Sequence, residues 1–135
     1  MDSQVFKRDL SVKFSDLVGV PYDKCGRDAV TGFDCFGLVA ECYRRMGIDV
    51  PTLDSGKNVS ENAVIVSHTA SQVWKGVEKQ EYVAVCFRIL RYVCHVGFTL
   101  PGGRFIHTWE GSKGVVIERL ANWEHRVAGY YDYQP

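Results

Sequence analysis

Three side chains in this sequence are of the types that together open an acyl bond: Cys35, His95 and His107. A cysteine attacks a carbonyl carbon as its thiolate. An imidazole takes the thiol proton, and a second polar group holds that imidazole in orientation, the division of labour of a cysteine hydrolase. His95 is the expected base and His107 its orienter. The plainer readings are a buried apolar cysteine and two satisfied structural histidines. Local structure weighs against them, because it places the cysteine at a helix start and both histidines on one face of a hairpin.

Cys35 stands in Gly32-Phe33-Asp34-Cys35-Phe36-Gly37-Leu38-Val39. The apolar residues that follow, Leu38, Val39, Cys42, Tyr43 and Met46, have the spacing of a helix with one buried face. Asp34 is a good N-cap, Gly47 a stop, and Pro51 bars resumption. Cys35 is therefore expected in the first helical turn, where unpaired N–H groups and the dipole favour a thiolate.

The histidines depend on a hairpin. From Glu81 the pattern turns extended, with strands expected over Tyr82 to Phe87, Cys94 to Leu100, Arg104 to Thr108, Val115 to Leu120 and Val127 to Tyr133. If Pro101-Gly102-Gly103 is a three-residue loop, Leu100 faces Arg104, His95 faces Trp109, and His107 is the diagonal neighbour of His95. Diagonal side chains root about 7–8 Å apart, within reach for two imidazoles. Val96, Phe98, Leu100 and Ile106 then fill the opposite face as core. A two-residue loop would put the histidines on opposite faces.

Ahead of Cys35, Phe6, Leu10, Phe14, Leu17 and Val18 suggest a short helix within 5–18, ended by Gly19-Val20-Pro21-Tyr22, and 23–32 reads as a polar loop. Residues 52–62 read as an exposed loop and 63–74 as a helix. Helices followed by an antiparallel run of strands make an α+β domain, with about five strands in the sheet. The 135 residues form one domain, 1–135, with 16 basic and 16 acidic residues. That balance gives no field for nucleic acid or anionic membrane. The N-terminus lacks the apolar core of a signal peptide and no stretch is long enough to span a bilayer, so synthesis and folding in a cytoplasm are expected. Five cysteines without paired short spacings argue against a zinc site or disulfide framework, and no metal or cofactor is expected. Cys42 and Cys86 read as core and Cys25 has no assigned role; His68 and His125 read as surface or packing residues.

Gly19-Val20-Pro21-Tyr22, the Cys35 segment, His95-Val96-Gly97-Phe98 and Phe105-Ile106-His107 resemble the ordered motifs of the NlpC/P60 family of papain-like cysteine peptidases, which cut peptidoglycan stem peptides. The resemblance runs from Gly19 to about Leu120. It implies an NlpC-type fold with Cys35 as nucleophile, His95 as base and His107 as third member. It also implies substrate-binding roles for Tyr22, which lines the cleft of such enzymes, and Asp34, which matches the residue holding the amino end of the stem peptide. Phe36 stands where enzymes cutting free wall peptides usually have serine, so substrate contact there is expected to differ. The segment before His95, Gln80-Glu81-Tyr82, lacks the usual Gly-Asp start. Phe36 and the tail segments 114–120 and 126–131 are similar to the branch encoded with bacteriophage tail genes. This implies a virion component at the tail tip that opens the wall locally during DNA entry, with other tail-tip proteins as partners. Two further readings stay open: a structural or partner-binding tail component that docks through Trp123, Tyr130, Tyr131 and Tyr133, and an amidase or acyltransferase using the same three residues.

Overall fold

The computed structural model describes residues 8–24, 26–51 and 73–134. The expected loop at 52–62, most of the expected helix at 63–74, Cys25 and His68 lie outside them. Helix α1 (Cys35–Arg45) starts where the sequence indicates, because Asp34 takes an extended conformation and its carboxylate accepts the Gly37 N–H at 2.7 Å. It ends at Met46, with Gly47 at φ 88°. Its buried face carries Leu38, Val39, Cys42, Tyr43 and Met46.

Among the described residues six strands form one antiparallel sheet: β3 (Trp74–Val77), β4 (Ala84–Ile89), β5 (Tyr92–Leu100), β6 (Arg104–His107), β7 (Val116–Arg119) and β8 (Val127–Tyr133), in the order β3-β8-β4-β5-β6-β7. The β5–β6 hairpin has the three-residue loop, with Leu100 paired to Arg104 and Phe98 to Ile106. Gly102 and Gly103 take φ of 80° and 70°, a left-handed pair that a side chain would strain. One face of the sheet, with Ala84, Cys86, Val96, Phe98, Leu100 and Ile106, packs on α1. The other carries a smaller core of Val85, Phe87, Phe105 and Leu120, covered by a 3-10 segment (Leu120–Arg126) that lays Trp123 across it.

The structure corrects the sequence reading in several places. Among the described residues of 5–18 there is only a 3-10 turn at Ser15–Leu17. Phe14 and Leu17 are buried, but Leu10 and Val18 are 53% and 48% exposed. The Asp9 carboxylate takes the Ser11 N–H and hydroxyl at 3.0 and 2.5 Å, a local turn that competes with a helix. The loop at 23–32 holds a small ladder, β1 (Arg27–Asp28) against β2 (Gly32–Phe33). Trp74, expected to end a helix, opens strand β3, which brings the main sheet to six strands among the described residues. Trp123, Tyr130, Tyr131 and Tyr133, expected as an exposed docking surface, are partly buried and pack on the two cores. Cys42 and Cys86 are buried as expected, and His125 is exposed.

Candidate active site

Cys35 is placed by what surrounds Asp34. That carboxylate is fully buried, and Oδ1 also receives Arg27 Nη1 at 2.7 Å. Cap and ion pair together fix where the helix begins, and so where the sulfur sits. The Cys35 N–H lies ahead of the first helical bond, which runs from the Leu38 N–H to the Asp34 carbonyl. The sulfur is faced by the backbone N–H groups of Phe36 and Val96. The ladder between β5 and β6 stops at Phe98 and Ile106. Beyond it the Val96 N–H, next in chain to His95, is turned to Cys35. Burial pushes the thiol up to about 12, against the effect of those two N–H groups. Burial thus works against the thiolate that the helix terminus favours.

His95 and His107 meet directly, with His95 Nε2 2.8 Å from His107 Nδ1 and both rings buried. Gly97 permits this approach. A Cβ there would stand 3.0 Å from the Phe105 ring, 3.1 Å from the Ile106 carbonyl and 3.2 Å from His107 Cβ. Without it, His107 can lean over the position it faces and reach His95 diagonally. A bulge in the β4–β5 ladder between Phe87 and Arg88 falls opposite Cys94, just before His95. A second bulge in the β4–β8 ladder meets the first at Phe87. Such bulges bend a strand and re-aim its side chains. Burial pushes His95 down to about 3, helped by the neighbouring His107; burial also lowers His107, opposed by Glu118.

The substrate-binding candidates sit differently from one another. Tyr22 is half-buried and bridges Phe33, which carries it alongside the start of α1. Asp34 is fully buried, engaged with Gly37 and Arg27, and Phe36 belongs to the main core.

Residues that the sequence did not assign to the site complete the surroundings. Glu118 Oε2 lies 2.6 Å from His107 Nε2, and Trp123 Nε1–H donates to Glu118 Oε1 at 3.3 Å. Phe105 pairs with Glu118 and His107 with Val116, so Glu118 is diagonal to His107 as His107 is to His95. Trp123 stands edge-on to the His107 ring at 4.9 Å, while Phe87 lies 5.6 Å and Trp109 6.1 Å from His95. Neither Glu118, which stands next to Arg119 in its strand, nor Arg27 carries a sequence signal beyond its charge. Among the described residues no group of three or more His, Cys, Asp or Glu side chains is arranged to hold a metal ion. The arrangement suits a nucleophile, a base and a buried proton relay backed by a carboxylate.

The sequence matches the model of the NlpC/P60 family over residues 19–131. Among solved structures, an NLP/P60 family protein of Staphylococcus aureus subsp. aureus Mu50, described as similar to lipoprotein, superposes with TM-score 0.64 at 23% identity over 89% of this chain. An NlpC/P60 family protein of Bacillus cereus ATCC 10987 superposes with TM-score 0.63 at 26% identity over 90%. This chain spans 38% of the length of each. The NlpC/p60 domain of the peptidoglycan hydrolase SagA superposes with TM-score 0.56 at 21% identity, covering 87% of this chain and 90% of that domain. No curated protein sequence matches. With the family model spanning most of the chain and the same fold recurring in these structures, the chain belongs to the NlpC/P60 family.

Proposed function

We propose that this protein is a cysteine endopeptidase that hydrolyses peptidoglycan stem peptides, with Cys35 as nucleophile, His95 as base and His107 as orienter. The observation that carries this reading is the buried His95–His107 hydrogen bond, on a strand whose next residue, Val96, turns its N–H to the helix-start cysteine, in a chain of this family. The fold shared with the NlpC/p60 domain of a peptidoglycan hydrolase supports the substrate class. Cys35 Sγ attacks the carbonyl carbon of the scissile amide while its proton passes to His95. The carbonyl π pair moves to oxygen, which the Cys35 N–H is placed to receive at the helix start. His95 then returns the proton to the leaving amine as the C–N bond breaks. Water hydrolyses the thioester, with His95 again as base. The bond proposed is the γ-D-glutamyl–diaminopimelate amide or a neighbour. Each charge alone is disfavoured by burial, so the thiolate and imidazolium form together, each stabilising the other.

The setting proposed is a bacteriophage tail tip, with other tail proteins as partners. Phe36 after the cysteine and the resemblance of segments 114–120 and 126–131 to tail-encoded members support it. Purified sacculi incubated with the protein should release soluble stem-peptide fragments, and Cys35→Ala should release none while its circular dichroism is unchanged. Release by Cys35→Ala equal to the parent would overturn the reading. Absence of the protein from purified particles would remove the tail assignment alone.

A further inference from the structure

The surroundings of Glu118 fit one chemical type. Two groups converge on it, the His107 Nε2 at 2.6 Å from Oε2 and the Trp123 indole N–H at 3.3 Å from Oε1. A carboxylate accepts at both oxygens, whereas an amide of the same shape accepts at one end and donates at the other. The indole nitrogen can only donate, so it claims an acceptor in every case. With a proton on His107 Nε2 and the carboxylate accepting it, His107 Nδ1 carries a lone pair. The 2.8 Å contact between the rings is then made by a proton on His95 Nε2. That leaves the lone pair of His95 on Nδ1, the only other nitrogen of the ring.

We propose that Glu118 is a positioning residue that sets the tautomers of both histidines, and thereby makes His95 Nδ1 the atom that takes the Cys35 proton. When Sγ forms its bond to the carbonyl carbon, the thiol proton moves to Nδ1 and the carbonyl π pair goes to oxygen. The positive charge on His95 is then met by a chain of two N–H donors ending on a carboxylate, with no second proton transfer needed. Three adjacent strands supply the chain: His95 on β5, His107 on β6 and Glu118 on β7. The consequence for turnover rests on the hydrolase reading; the consequence for the tautomers does not.

The test uses the full chain as parent, Glu118→Gln and Glu118→Ala, read by nitrogen NMR of labelled imidazoles and by kinetics on a defined stem peptide. Glu118 is partly exposed, with 35% of its side chain accessible, and neither change should unfold the protein. The parent should show both histidines protonated at Nε2. In Glu118→Gln the amide oxygen should turn to the Trp123 N–H and the amide NH2 to His107, driving the protons of both rings to Nδ1. Its kcat should fall about 10- to 100-fold with KM within about twofold, and further than in Glu118→Ala, where water can still accept from His107. A packing role would make glutamine the milder change. Unchanged tautomers in Glu118→Gln, or Nδ1 protonation in the parent, would overturn the proposal whatever the rates. A tautomer switch from parent to Glu118→Gln, with no stem peptide cleaved by the parent, would support it and refute the hydrolase reading instead.

Discussion

Burial governs the site at the scale of single residues. It favours the thiol of Cys35 and the neutral imidazole of His95, although the helix start and the facing N–H groups pull the sulfur the other way. An imidazolium formed in such surroundings needs its remaining N–H taken, and His107 is the acceptor. Glutamine at 107 can accept from His95 with its carbonyl and donate to Glu118 with its amide. His107→Gln should therefore keep substantial activity, His107→Ala should lose about 10- to 1000-fold in kcat, and His95→Ala should lose more. Steady-state kinetics on one stem peptide rank the three. If His107→Ala matched the parent while His95→Ala were inactive, His107 would be a packing residue. Gly97 belongs to the same scale. Gly97→Ala places a methyl against the Phe105 ring, the Ile106 carbonyl and His107 Cβ, so it should cost about 1–3 kcal/mol by denaturant titration and disturb the histidine contact.

At the scale of elements, the β5–β6 hairpin decides whether there is a site. Its three-residue loop puts both histidines on one face, and the aliphatic residues between them on the face toward α1. Deleting Gly103 should force a two-residue loop, slip the register by one, and turn His107 toward the main core. Loss of hydrolysis together with a lower melting temperature is the expected outcome, and unchanged activity would contradict the register. This hairpin was legible because its loop residues and its apolar alternation agree. Helix α1 was legible because Asp34, the apolar spacing and Gly47 all mark the same segment. Strand β8 likewise carries its own pattern. Strand β3 was not legible: its four residues include Lys75 and Gly76, and it exists through its pairing with β8. Glu118 was hidden for another reason. The connection from β6 to β7 is a longer loop whose form rests on Ser112, which accepts from the Trp109 N–H and donates to carbonyls. No short turn therefore fixes the register of β7 from sequence. The bulges around Phe87 are likewise tertiary events.

At the scale of the whole molecule, one buried carboxylate ties distant parts of the chain. Asp132 on β8 accepts from the Tyr43 hydroxyl of α1 at 2.8 Å and pairs with Arg8 at 2.6 Å. Asp132→Ala removes the acceptor of the Tyr43 hydroxyl and of Arg8 Nη2, while Arg8 Nη1 keeps the Tyr82 carbonyl, and should cost about 1–3 kcal/mol in chemical denaturation with the site geometry kept. Asp132→Asn should cost less, since it can still accept. The buried neutral groups also shape stability against pH. The folded His95 binds its proton far more weakly than the ordinary value of 6.5, so the unfolded chain takes up the proton first as pH falls. Stability should be lost as pH drops from about 6.5 toward 3. Cys35 and Cys86 are both raised from 9.0 to about 12, so stability should also be lost as pH rises from about 9 toward 12. Denaturation midpoints should therefore show a plateau between these limits, and a midpoint that climbs between pH 6.5 and 5 would contradict the buried neutral imidazole.

The most direct test of the hydrolase reading is mass spectrometry of the products from a defined muropeptide bearing a γ-D-glutamyl–diaminopimelate bond. The parent protein should yield two fragments whose masses sum to the substrate plus one water, with a new carboxyl on the glutamyl side and a new amine on the diaminopimelate. Cys35→Ala should return the substrate intact. Fragments of the same masses from Cys35→Ala would contradict the account, as would cleavage by the parent only at the amide joining the peptide to the sugar.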